Sequence, residues 1–346
     1  MGEGSASEAR VARGRRRNWW LVVRLLLAAL LLAVVLRRVD WHQFLIVIDD
    51  VQPLWLVAVL LIATGDRFWM AGKWRYLLRQ LGTDPSMFDA VRHYYSGGLV
   101  GAATQWQLGG DIARAVALGR AVGRPGIVAA SVVFEKITGL SSSALWALPA
   151  AVLLNARFHM WPERLGVVVA GAAAAALITV PLLAGSALAP RTLELLARHL
   201  PSMRLRRLAQ RGAQALDECR PPRRAILVFF ALTLGEQAMP VIRVALLAAA
   251  LELTLPPLAI LSVVPISAFL SRLPVSPEAL GVREAIFVYL LGRYGLSAAG
   301  ALALALSTRV MDLVAVGIGA LVCAGLAHGR GSTDVSDLQE AAEEVA

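Results

Sequence analysis

The sequence predicts an all-α, polytopic membrane protein with six full spans plus two re-entrant or broken helical segments, or about eight spans in all. Three observations predict it. Of the 346 residues 58% are hydrophobic and only 17% charged, where a soluble domain carries about a quarter charged residues. Several apolar runs approach the roughly 20 residues needed to cross a bilayer. Those runs are continuous and rich in Ala and Leu, without the alternation of a membrane β-barrel. The mean hydropathy of +0.64 agrees.

Residues 1–18 form a basic cytoplasmic tail with Arg10, Arg13, Arg15, Arg16 and Arg17, and the transmembrane domain follows over 19–327. Its first apolar run, Trp19 to Leu36, is broken only by Arg24. It ends in Val34-Val35-Leu36-Arg37 with no small-residue cleavage site, so it reads as an uncleaved span with its amino end inside. The second span, 53–72, carries Asp66 and Arg67, with Trp55 and Trp69 at the two interfaces. Lys73, Trp74, Arg75 and Arg79 then mark a cytoplasmic return.

Residues 93–118 break the pattern. As helix, 93–108 would reach about 24 Å against a hydrocarbon core near 30 Å. Basic residues flank the segment on both sides, Arg92 before it and Arg114, Arg120 and Arg124 after. A hairpin entering and leaving by one face explains both facts, with Gly109-Gly110 as its tight turn. Irregular backbone is tolerated at such depth only where protein or a wet cavity covers it.

The span 126–154 carries Glu135 and Lys136, and a short outside loop, 155–164, leads to the span 165–187. The loop 188–224 holds nine arginines, among them Arg204, Arg206, Arg207 and Arg211, against Glu194, Asp217 and Glu218, which places it in the cytoplasm. Residues 225–251 cross outward with Glu236 and Arg243 inside the run and a kink expected at Pro240. The apolar piece 258–273 is short again and leads into Pro274-Val275-Ser276-Pro277 and Leu280-Gly281-Val282-Arg283-Glu284, then a second short piece, 285–294. The last span, 297–327, contains Arg309 and Asp312, and an acidic cytoplasmic tail, 328–346, follows. If 258–294 is a second hairpin entering from outside, the two halves run in opposite orientation as an inverted repeat. Short, Gly/Pro-interrupted segments at matching places of two halves point to a transporter site.

The net charge of +10 is accounted for by arginines on one side of the membrane, so no nucleic-acid partner is expected. Cys219 and Cys323 belong to no CxxC or zinc spacing and read as reduced and structural, and the five histidines are scattered, so no metal site is expected. No GxxxxGK[ST] run is present to cradle nucleotide phosphates, and no cofactor is expected.

Charged groups at membrane depth cost about 2.5–3.5 kcal/mol each on insertion scales and persist by pairing or by lining water. The candidates are Asp66/Arg67, Asp111/Arg114, Glu135/Lys136, Glu236/Arg243, Arg283/Glu284 and Arg309/Asp312. The i,i+3 spacing lets Asp111 meet Arg114 and Arg309 meet Asp312 on one helix face. Adjacent residues such as Glu135 and Lys136 must find partners on other segments. Two readings stand: structural locks between helices, or a polar groove that passes a headgroup whose phosphate suits the planar arginine fork.

Gly109-Gly110-Asp111-Ile112-Ala113-Arg114, Ala130-Ser131-Val132-Val133-Phe134-Glu135-Lys136 and Pro274-Val275-Ser276 with Leu280-Gly281-Val282-Arg283-Glu284 resemble the lysylphosphatidylglycerol synthase transmembrane-region family, flippase-like integral membrane proteins. Lys73-Trp74-Arg75 resembles that family's basic-Trp signature. Gln105 stands about where the family carries a proline, Lys136 replaces an arginine, and Glu278 and Ala279 replace glycines. The resemblance implies movement of a phospholipid or lipid-linked headgroup between leaflets of the plasma membrane. It does not imply aminoacyl transfer, which in the lysyl-lipid synthases belongs to a separate soluble domain; this chain ends nineteen residues after its last span.

The expected headgroup pathway is Asp111, Arg114, Glu135, Lys136, Arg283, Glu284, Arg309 and Asp312, with Gly109, Gly110, Pro274 and Gly281 as hinges. Arg114, Arg283 and Arg309 would meet phosphate. Expected partners are membrane lipids with anionic or phosphate-bearing headgroups, with 188–224 as a surface for a membrane-protein partner. Both termini are expected in the cytoplasm. Two rivals remain open: an enzyme acting on lipid-linked sugars, for which Asp49-Asp50 is the only adjacent aspartate pair, and a non-transporting scaffold built on the Arg-rich loop.

Overall fold

The computed structural model describes residues 26, 29–49, 51–104, 107–160, 162, 221–273, 276 and 279–328, with single helical positions at 171, 195, 206, 210 and 214. The spans expected at 19–36 and 165–187, the Arg-rich loop, both tails, Cys219 and Pro274 lie wholly or largely outside these residues. Helix 29–36 is followed, among the described residues, by ten more: α1 (Trp41–Asp49), α2 (Pro53–Gln80), α3 (Met87–Thr104), α4 (Gln107–Ala121), α5 (Pro125–Phe158), α6 (Arg223–Glu236), α7 (Ala238–Ala250), α8 (Pro257–Arg272), α9 (Val282–Gly292) and α10 (Ala298–His328).

Among the described residues, four helical stretches are long and apolar enough to cross a membrane: α2, α5, α6 with α7, and α10. Proline opens α2, α5 and α8 at the first helical position, where its missing N–H costs nothing. The kink expected in the third stretch is present. Pro240 has no N–H and its ring crowds the carbonyl four residues back, so α6 stops at Glu236 and α7 starts at Ala238. The indoles of Trp69 and Trp146 donate to the carbonyls of Leu232 (3.1 Å) and Leu234 (3.1 Å) just before the break.

α3 with α4, and α8 with α9, are antiparallel hairpins shorter than the spans around them. Gly97 abuts Gly110 and Arg114, while Gly101 abuts Gly110, so the arms of the first hairpin run in opposite directions. On α10, Gly98 faces Val316 and Tyr95 faces Gly319; on α5, Arg114 meets Glu135 and Gly119 meets Pro125. Continuing those registers brings the first tip level with the middle of α5 and of α10. The second hairpin lies against α5 with Arg272 beside Gly139, and Glu284 at the start of α9 meets Arg309. Its tip too reaches only mid-length of the long helices. Its base sits at their other end, where the Tyr294 ring packs edge-on against Phe158 at 4.9 Å. Each hairpin therefore turns back halfway through the bundle, from opposite ends.

The halves also exchange neighbours. The first hairpin packs on α5 and α10 and the second on α10 and α5, while α2 lies antiparallel to α6–α7. Asp66 and Lys73 are seven residues apart on α2, as are Glu236 and Arg243 across the break, about two helical turns in each case. They pair crosswise, Lys73 with Glu236 and Asp66 with Arg243 (3.8 Å). Such crosswise pairing is what antiparallel packing of two equal spacings gives.

One expectation is corrected. Gly109 and Gly110 are not a turn; both lie in the first turn of α4. A Cβ on Gly110 would stand 2.1 Å from the Gly97 carbonyl oxygen, so that glycine serves close helix packing. A second difference concerns α2, which continues past residue 72 to Gln80, so Lys73 and Trp74 are buried within it while only Arg75 and Arg79 face the polar turn at Asp84.

Candidate functional site

Apart from Arg67, whose expected partner Asp66 pairs with Arg243 instead, the candidate charged residues fall into two clusters, one beside each hairpin. In the first, Arg114 on α4 holds Asp111 (3.0 Å) and Glu135 of α5 (2.8 Å). Lys136 turns back to the other oxygen of Asp111 at 2.5 Å. The i,i+3 pair is present as its spacing predicts, and Glu135 and Lys136 do find partners on another helix. Trp74 and Tyr94 close over the Arg114 guanidinium, its carbon 4.6 and 4.5 Å from the two ring centres. Trp74 is fixed in turn by its indole donating to Ser131 (2.9 Å), and the Tyr94 hydroxyl donates to Glu135 (2.9 Å). Lys73, paired with Glu236 and 3.3 Å from the Thr233 hydroxyl, joins this cluster to the helix break.

The second cluster has a different shape. Glu284, only 1% exposed, accepts the Gly281 backbone N–H at 2.8 Å and holds Arg309 at 3.2 Å. Gly281 has φ +78, a conformation that favours glycine, so the start of α9 and the placement of Arg309 are set by one carboxylate. Asp312, near mid-length of α10, pairs with Arg243 and lies 3.7 Å from Arg283. Arg243 also reaches Asp66. The expected Arg309/Asp312 pair is thus resolved into two cross-helix pairs, Arg309 with Glu284 and Asp312 with Arg243 and Arg283.

The clusters differ in access. The Arg114 side chain is 3% exposed and Lys136 alone in that cluster is open, at 39%, while in the second cluster Arg283 and Asp312 are 25% and 28% exposed. A charged group open at span depth faces water rather than lipid, because contact with hydrocarbon costs several kcal/mol. The sequence set every charged member of both clusters among its candidate pairs except Lys73, which entered only as a cytoplasmic flank and in the basic-Trp signature, and it did not single out Tyr94. The signal for Lys73 is the seven-residue spacing to Asp66 that Glu236 and Arg243 repeat.

The transmembrane-region model of lysylphosphatidylglycerol synthase matches residues 21–319, nearly the whole chain, both hairpins and both clusters included. The chain belongs to that family. No curated protein and no solved structure is significantly similar to it. Membership makes it a membrane protein related to lipid handling, and the long apolar helices agree.

Proposed function

We propose that this family member moves a phosphate-bearing lipid headgroup between the leaflets of the membrane, through a water-filled groove beside the second hairpin. The observation that carries the reading is the Arg243, Arg283, Arg309, Asp312 set, partly open at mid-length of the long helices and fed by a hairpin that stops halfway. Guanidinium groups can hold a phosphate with paired hydrogen bonds, and Asp312 can release Arg283 as the headgroup arrives. The acyl chains would remain in lipid, so only the headgroup needs the polar path.

The first cluster has the opposite role in this reading. Its guanidinium is enclosed by two rings and two carboxylates, so Arg114 locks the hairpin to α5. Reconstitution into liposomes carrying fluorescent phosphatidylglycerol in one leaflet tests the proposal. Protein-dependent exchange, reduced by Arg283→Gln, is expected. No exchange across anionic and zwitterionic phospholipids would overturn it.

A further inference from the structure

A further cation lies outside both clusters, near mid-depth. Arg272 closes α8 at the tip of the second hairpin, against Gly139 of α5 and Gln237 at the helix break. Gly139 lies near the middle of α5 and Gln237 at the centre of the stretch Arg223–Ala250, so the guanidinium sits near mid-depth of the bundle. Among the described residues it meets no carboxylate, and it is exposed rather than packed away. Its one hydrogen bond is long, 3.5 Å to the Gln237 amide oxygen. That oxygen is turned toward it because the Gln237 amide nitrogen donates to Ser142 at 2.9 Å. The preceding residue, Ser271, carries a buried hydroxyl with no hydrogen-bond partner among the described residues, on a different face of the helix from Arg272.

A cation that meets no carboxylate among the described residues is tolerated at this depth where it lines water, and there it is open to a visiting anion. The surroundings are arranged to keep it available. A Cβ at Gly139 would stand 2.9 Å from Arg272 Nη1, so the guanidinium lies against the α5 backbone where only glycine leaves room. Gln237 steadies one edge of the fork with a neutral acceptor, which orients it without neutralising it. Among the described residues the remaining guanidinium N–H groups have no acceptor, the complement of a phosphoryl group.

We propose that Arg272, with Gln237 and Gly139 positioning it, is a mid-depth binding site for a phosphoryl group. This rests on the headgroup-transfer reading and deepens it: the site would be a waypoint at the second tip, apart from the Arg283 cluster. The phosphoryl group could belong to a lipid headgroup or to free phosphate.

The test is native mass spectrometry of the full-length purified protein with phosphatidylglycerol, with a phosphate-free glucosyl diacylglycerol as control and inorganic phosphate as competitor. Arg272→Gln should weaken phosphatidylglycerol binding about tenfold, Arg272→Lys less, and neither should alter glycolipid binding. Gly139→Ala keeps every charge but displaces the guanidinium, and should weaken binding in the same direction. Competition by inorganic phosphate would make free phosphate the ligand, and its absence would make the lipid headgroup the ligand; both support the site. Wild-type phosphatidylglycerol affinity in Arg272→Gln and Gly139→Ala would overturn it. Binding that depends on Arg272 in a protein without leaflet exchange would sink the transport reading and leave the site standing.

Discussion

The two charge clusters are built to one plan and finished differently. Each joins the start of a hairpin's second arm to a long helix, and each balances three cations with three carboxylates. Lys73, Arg114 and Lys136 face Asp111, Glu135 and Glu236; Arg243, Arg283 and Arg309 face Asp66, Glu284 and Asp312. What differs is the lid over the arginine. Trp74 and Tyr94 shut Arg114 away and leave only Lys136 open at the rim, whereas no ring is stacked on a guanidinium of the second among the described residues. Balance keeps both tolerable at depth, but only an open cluster can exchange a partner for a passing anion.

The sharpest way to break this contrast is to unbalance the closed cluster. Arg114→Met leaves Asp111 and Glu135 buried with one cation fewer, and breaking a buried pair costs about 3–5 kcal/mol. Thermal unfolding in detergent should show a large loss, or no folded protein, while the double variant Arg114→Met with Glu135→Leu should recover part of it. Next in size is Gly110→Val, which drives a branched side chain into the Gly97 backbone. Overpacking of this kind costs about 1–3 kcal/mol, and leaflet exchange should fall with stability.

Smaller again is Gly281→Ala, which needs a left-handed conformation costing about 1–2 kcal/mol for a residue with a Cβ. It should lower the unfolding midpoint modestly and disturb Arg309 through Glu284. The smallest stability effect belongs to the open cluster. Asp312→Asn should change stability by about 1 kcal/mol or less, as expected of a partly solvated pair. Exchange should nevertheless drop severalfold, since two arginines lose their shared counter-charge. If Asp312→Asn and Arg114→Met change stability equally, the distinction between lock and groove fails.

Much of this was legible in the chain. Shortness and basic flanks marked 93–118, and i,i+3 spacing paired Asp111 with Arg114, because both signals are local. The partners of Asp66 and Glu236 were not legible. Each has an opposite charge nearby in sequence, yet the antiparallel contact of α2 with α6–α7 gives them to Arg243 and Lys73 instead. Gly109-Gly110 misled for a related reason. A glycine pair can make a turn or a close contact, and the deciding residue, Gly97, sits on the other arm. Arg272 drew no reading from the short apolar piece 258–273, and that it meets no carboxylate among the described residues appears only once its surroundings are known.

The crosswise pairing of α2 with α6–α7 also bears on how the chain is made. Lys73 leaves the ribosome long before its neighbours exist: Thr233 lies 160 residues further on, and Glu236 just after it. At roughly 5–20 residues per second the interval is about 8–32 s. Throughout it the earlier half must hold an unmatched lysine and aspartate at the bilayer or against the insertion machinery. Biogenesis, rather than the finished molecule, is where those two side chains are most costly.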